Sequence, residues 1–168
     1  MNISKDRGLV IHYLASIAYH LQKAIRDAPS DFWVFSAGNK VRTPNEILFH
    51  MTSLIGYTAT FFVGGLFTPK PLPTAQDELE RFHDILEDVA GHLKSNSSLH
   101  GITEYQLLQG PLSDIMTHIG QLSMLRRLYG DPVPPENFIY ADITESNLTK
   151  NQSLPAAPDK DWPEALLF

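Results

Sequence analysis

Four stretches of this chain repeat apolar residues at three- and four-residue spacing, and each is bounded by proline, glycine or a hydroxyl-bearing residue. That spacing gathers the apolar side chains on one stripe of a helix, and a striped helix has to bury its stripe against other elements. The first stretch runs from about Ile3 to Asp27, with Leu9, Val10, Tyr13, Leu14, Ile17, Leu21, Ala24 and Ile25 in register. Ala28-Pro29 ends it, because the residue before a proline is pushed out of the helical region. A connector follows, with Phe32, Trp33 and Phe35 as anchoring aromatics capping one end of the core, and Ser36-Ala37-Gly38-Asn39 as a turn.

The second stretch has the sharpest start. Thr43 is a good N-cap, Pro44 suits the first helical position, and Glu46 completes a capping box. Ile47, Leu48, Met51, Leu54, Ile55 and Phe62 carry the apolar surface as far as Gly64-Gly65, and Pro69, Pro71 and Pro73 then force an extended linker. The third helix is expected from near Thr74, with Leu79, Phe82, Ile85, Leu86, Val89 and Leu93 on one face and Glu78, Glu80, Glu87 and Asp88 in water, fraying at residues 95–98. The fourth is expected after Gly110 with Pro111 in its first turn, reading Leu112, Ile115, Met116, Ile119, Leu122, Leu125 and Leu128 before Gly130 stops it. The expectation is an all-α four-helix bundle over about residues 3–130, in a single domain of 1–168. From Asp131 no period persists, yet Phe138, Tyr140, Ile143, Trp162 and Phe168 are too apolar for a free linker. An irregular tail over 131–168, packed on the bundle, is predicted.

Composition excludes some function classes. The net charge is −6 and no Lys or Arg stripe exists, so phosphate backbones find little to bind and nucleic acid is not an expected partner. With no cysteine, any metal is held by His and carboxylate, and a reducing cytoplasmic setting is compatible with the chain. Two apolar segments have the length to suggest membrane or export roles. Leu9–Leu21 carries His12, Tyr13, Ser16 and His20, and Met51–Pro69 is broken by Thr52, Ser53, Gly56, Thr58, Thr60, Gly64 and Gly65, so neither is read as membrane-directed.

Within this frame one constellation can carry chemistry. Asp114 and His118 are four residues apart, on one face of the last helix, with Gln121 and Leu125 continuing the stripe. His50 lies one turn inside the second helix, between Ile47 and Leu54. Packed helices leave about 8–10 Å between axes, which two inward side chains can close around one cation. Two imidazoles and a carboxylate leave open positions for water or substrate, as in catalytic zinc and ferrous iron sites, and nickel or manganese also fits. The competing reading makes the histidines hydrogen-bonded structural residues. Glu46 can orient His50 or serve only the cap, Tyr57 can line a pocket or be core, and Gln121 can donate to a ligand or satisfy a buried amide. His12, His20, His83, His92 and His100 are read as surface or structural, with His20 and His83 as reserve ligands. Phe61-Phe62 and Phe67 offer a further reading as a docking patch. No phosphate loop or serine-nucleophile motif stands out.

The run Val41-Arg42-Thr43-Pro44-Asn45-Glu46-Ile47-Leu48-Phe49-His50 resembles the capped second helix of the DinB-like family, where a Thr-x-x-Glu start leads to a metal-binding His. His118-Ile119-Gly120-Gln121-Leu122 is similar to that family's His-Arg-Gly-Gln motif, and Pro135-Glu136-Asn137-Phe138 with Tyr140-Ala141-Asp142-Ile143 resembles its tails. The resemblance implies an up-up-down-down bundle, homodimers, and a three-histidine site for zinc or nickel. His50 and His118 match two of those ligands. Asp114 stands where the third histidine is expected, and Ile119 replaces the Arg, so the implied site becomes His/Asp/His with altered metal preference. The activities implied are those of a metal-dependent thiol transferase or hydrolase acting on a small-molecule or thiol substrate. The alternative is a non-catalytic dimeric bundle, stress-associated or binding small molecules, with a degenerate site.

Overall fold

The computed structural model describes residues 3–156, and over them the chain is all-helical, with no β-strand among the described residues. The long helices are α1 (Lys5–Ile25), α2 (Pro44–Val63), α3 (Ala75–Lys94) and α5 (Ser113–Tyr129), with a short α4 (Glu104–Leu107) before the last. A 3-10 turn, Ser30–Val34, carries the connector aromatics. The expected first helix is trimmed at both ends. Ser4 accepts the Arg7 N–H as its cap, and Arg26 leaves helical geometry before Asp27, which takes a positive φ of 54°.

The capping box at Thr43 is present in both directions. The Glu46 N–H donates to the Thr43 hydroxyl, and the Thr43 N–H donates to the Glu46 carboxylate at 2.7 Å. Thr74 caps α3 as expected. The helix contacts run from α1 to α3, α3 to α2, α2 to α5 and α5 back to α1. By length and composition alone α2 is apolar enough to cross a membrane. Its contacts with both α3 and α5 account for that breadth, since a helix buried on two sides needs more than one stripe. One core cluster unites all four long helices with Phe32 from the connector and Leu148 from the tail.

Two expectations need correction and one is incomplete. The chain breaks at Gly110 with Pro111 next, as expected, but helix also precedes the break: Thr103 and Gln106 form a second capping box that opens α4, and a wide π-type turn, Leu108–Leu112, joins α4 to α5. Pro111 has no N–H to give, Gly110 leaves helical geometry at φ −98°, ψ −109°, and the axis breaks there. Glu78 does not face water: it is 4% exposed, bridged by Arg81 and by the Leu72 N–H. Nor do the three phenylalanines form a free patch, because Phe62 is buried and stacks on His92, while Phe67 lies so close to Gly56 that a Cβ there would sit 2.1 Å from its ring.

The tail lies on the helices as far as it is described. Leu148 is 4% exposed, Glu136 is buried against the Tyr19 hydroxyl at 2.6 Å, and Phe138 stacks on His20. Ile143 packs on the core, whereas Tyr140 stays exposed. Trp162 and Phe168 lie outside the described residues. Arg126, given no role from sequence, ties this end together: its buried guanidinium donates to the carbonyls of Ala24, Arg26 and Asp131, pairs with the Asp131 carboxylate, and sits 5.5 Å over the Phe32 ring.

Candidate metal centre

His50 is carried by the second turn of α2, whose register the Thr43 cap sets, and Asp114 and His118 by the first two turns of α5. The chain breaks at Gly110-Pro111 just before α5, and the Ser113 hydroxyl donates to the Leu108 carbonyl. Asp114 lies in the first turn of α5. Because α2 and α5 are in contact, the three side chains meet.

The donor atoms of His50, Asp114 and His118 all lie within 4.8 Å of one another, so this group can hold a metal ion. His118 Nε2 is 3.4 Å from Asp114 Oδ1, and His50 Nε2 is 4.0 Å from Asp114 Oδ2. Donors at about 2.0–2.1 Å from a tetrahedral ion stand roughly 3.3 Å apart. His118 and Asp114 already have that spacing. His50 needs a small inward rotation, and its side chain, a third exposed, has the freedom for it. The two imidazoles meet edge to face at 4.8 Å between centroids.

His118 is the fixed member. It is nearly buried, and its Nδ1–H donates to Gln121 Oε1 at 3.0 Å, which leaves Nε2 as the lone-pair nitrogen facing Asp114. An outer hydrogen bond of this kind selects the tautomer a metal requires. The basicity of His50 is pushed down, first by partial burial, then by the positive charge of Arg42 and by His118, with Asp114 opposing. A neutral imidazole near pH 7 is the form that ligates.

The sequence nominees separate cleanly. His50, Asp114, His118 and Gln121 come together. Glu46 is engaged by both groups of Thr43, which hold its carboxyl below the usual range, so it serves the cap. Tyr57 is exposed, edge-on to Phe61, and is neither core nor part of the cavity beside the site. The reserve histidines lie elsewhere: the His20 Nδ1 contacts the Ser16 carbonyl and the His83 Nδ1 the Leu148 carbonyl. No family model, curated protein or solved structure matches this chain. What the site can do rests on its own donors and surroundings.

Those surroundings include a cavity of about 460 Å³ between α2, α5 and the connector, which His118 and Gln121 line on one side. Arg42 lines it too, and its charge is felt at His50. Arg42 precedes a cap and looks in sequence like ordinary loop charge, and Leu128 looks like helix stripe, although it and Met124 are largely exposed.

Proposed function

We propose that this protein is a divalent-metal-dependent enzyme of the DinB-like type, a thiol transferase or hydrolase, with His50, Asp114 and His118 as the metal ligands. The observation that carries the reading is the convergence of one carboxylate and two imidazole donors from two helices within 4.8 Å. The cyclic order of helix contacts supports the up-up-down-down four-helix bundle that the family resemblance implies, with α1 and α2 facing each other across the core.

The donor set suits zinc or nickel, and its single carboxylate also admits iron or manganese. A bound divalent ion would lower the pKa of a thiol or water held at an open position, supplying a nucleophile near neutral pH. The chain's own residues divide the remaining work. Gln121 keeps the His118 Nε2 lone pair aimed at the centre. Asp114 supplies the one negative charge that offsets the ion. Arg42 lowers the proton affinity of His50, so that protons compete less with metal for that nitrogen. Half-exposure of Asp114 leaves the centre reachable from solvent, in keeping with a small-molecule or thiol substrate.

Elemental analysis of protein purified without chelator, wild type beside His50→Ala, tests this directly. The expected result is stoichiometric metal in the wild type and its loss in the variant. A further sign is stabilisation on adding zinc or nickel, about 2.7 kcal/mol when free metal stands at 100 times its dissociation constant. Metal-free protein whose melting is indifferent to zinc, nickel, manganese and iron would sink the proposal. A second reading, a dimeric bundle with a degenerate site, draws on the replacement of the family's third histidine by a solvent-exposed Asp114. In that case Asp114→Ala and His118→Ala change stability alone.

A further inference from the structure

Resting on that metal reading, we propose that the cavity beside the centre binds a small carboxylate with an extended apolar body, its head between the metal site and Arg42 and its body between α2 and α5. The cavity, about 460 Å³, falls within the range of small-ligand sites. Its walls are Val41, Ile47, Leu125 and Leu128, with Met124 at the rim. Val41 is 47% exposed, Met124 58% and Leu128 60%, an apolar surface that the fold of one chain leaves open. An unbranched Met at such a rim adapts to ligands of varied shape.

Charge supplies the polarity of the occupant. Arg42 lines the cavity and makes no ion pair among the described residues. A planar guanidinium is suited to grip a carboxylate with two parallel hydrogen bonds. His118 lines the same cavity. Arg42 and a bound divalent ion together outweigh the single carboxylate of Asp114, so the polar side is net positive while the remaining walls are mostly apolar. A neutral or cationic head would forgo both attractions. A carboxylate with a hydrocarbon body satisfies the whole cavity.

The test is calorimetric titration of zinc-loaded full-length protein with straight-chain alkanoates of increasing length, and with the matching alkylamines. Metal content is measured on the same samples. The expected result is affinity rising about fourfold per methylene until the cavity is full, with amines binding far more weakly than acids. Arg42→Gln should weaken the preference for acid over amine, leaving only the part the metal supplies. Leu128→Glu, at an exposed position that leaves the core intact, should flatten the chain-length dependence. Equal binding of all lengths, no binding by metal-loaded protein, or a length dependence untouched by both variants overturns the proposal. So does a dimer that Leu128→Glu splits into monomers without any alkanoate binding, which would assign the face to a second copy. If the samples hold no metal, the metal reading fails on its own. The metal-free titration then still decides the cavity: length-dependent binding lost in Leu128→Glu supports it, and no binding overturns it.

Discussion

At the scale of single residues, the hydrogen bond from His118 Nδ1–H to Gln121 has a consequence for metal affinity. Without it the imidazole gains a second tautomer and a free rotation, and both compete with ligation. Gln121→Leu is therefore expected to weaken metal binding about 10–100-fold while leaving the melting temperature of the metal-free protein nearly unchanged, because Gln121 is exposed. Chelator competition measures the first quantity and calorimetry the second. Equal affinity in variant and wild type would reduce the Gln121 contact to an incidental surface bond. Gly56 is a different kind of single-residue constraint, since the ring of Phe67 occupies the space a side chain would need. Gly56→Ala gains about 1 kcal/mol of helix propensity and forces the ring away at about 1–3 kcal/mol. A net loss of stability follows, read in urea unfolding and relieved when Phe67→Ala is added.

At the scale of elements, the register of α2 decides whether His50 reaches its partners. Thr43 and Glu46 satisfy one another's backbone N–H groups, so the helix starts at one residue. Thr43→Ala should cost about 1 kcal/mol in urea unfolding. It should also move the Glu46 carboxyl part of the way up toward its ordinary titration range, because the hydroxyl donor is lost while the Thr43 N–H, the larger cause of the lowering, remains. A Glu46 titration unchanged in that variant, followed by NMR, would contradict the capping account. On α5 the corresponding device is a break. The turn at Leu108–Leu112 ends one helical segment and opens another, and the new start puts Asp114 in a first turn. Bulged turns of this π type are frequent beside functional sites, where they re-aim side chains.

At the scale of the whole molecule, the tail over residues 131–156 contributes to the core. Leu148 is almost fully buried among the helices, and Leu148→Ala should cost about 2–5 kcal/mol, measured by urea unfolding. The same segment gives the fold a pH dependence. His83 on α3 is buried, with Nδ1–H donating to the Leu148 carbonyl, and burial holds its pKa below the ordinary 6.5. The unfolded chain therefore takes up a proton first as pH falls. Stability contributed by neutral His83 is complete above about 6.5 and is lost as pH drops through the lower folded value. His20 and His50 shift the same way, again chiefly by burial, so they add to the slope. The urea midpoint should fall between about pH 7 and about pH 5, and His83→Gln should make that fall shallower. A midpoint that is flat across this interval would contradict the placement of His83.

Much of this molecule is written locally. Helix starts at Thr43 and Thr74, the stop at Gly130 and the apolar stripes follow from capping and periodicity, which act within a few residues of chain. Asp114, His118 and Gln121 share a helix face for the same reason. The Thr103 capping box is equally local, but Pro111 by itself passes for the whole start of the last helix. Other features were out of reach of any local rule. The approach of His50 to Asp114 depends on α2 packing against α5. The burial of Glu78 depends on Arg81 and a linker N–H arriving together, and the role of Arg126 on the ends of α1 and α5 meeting the start of the tail. These contacts join residues far apart in the chain, and their energies exist only once the helices have packed. A one-dimensional pattern records which face a residue occupies, whereas packing decides what that face meets.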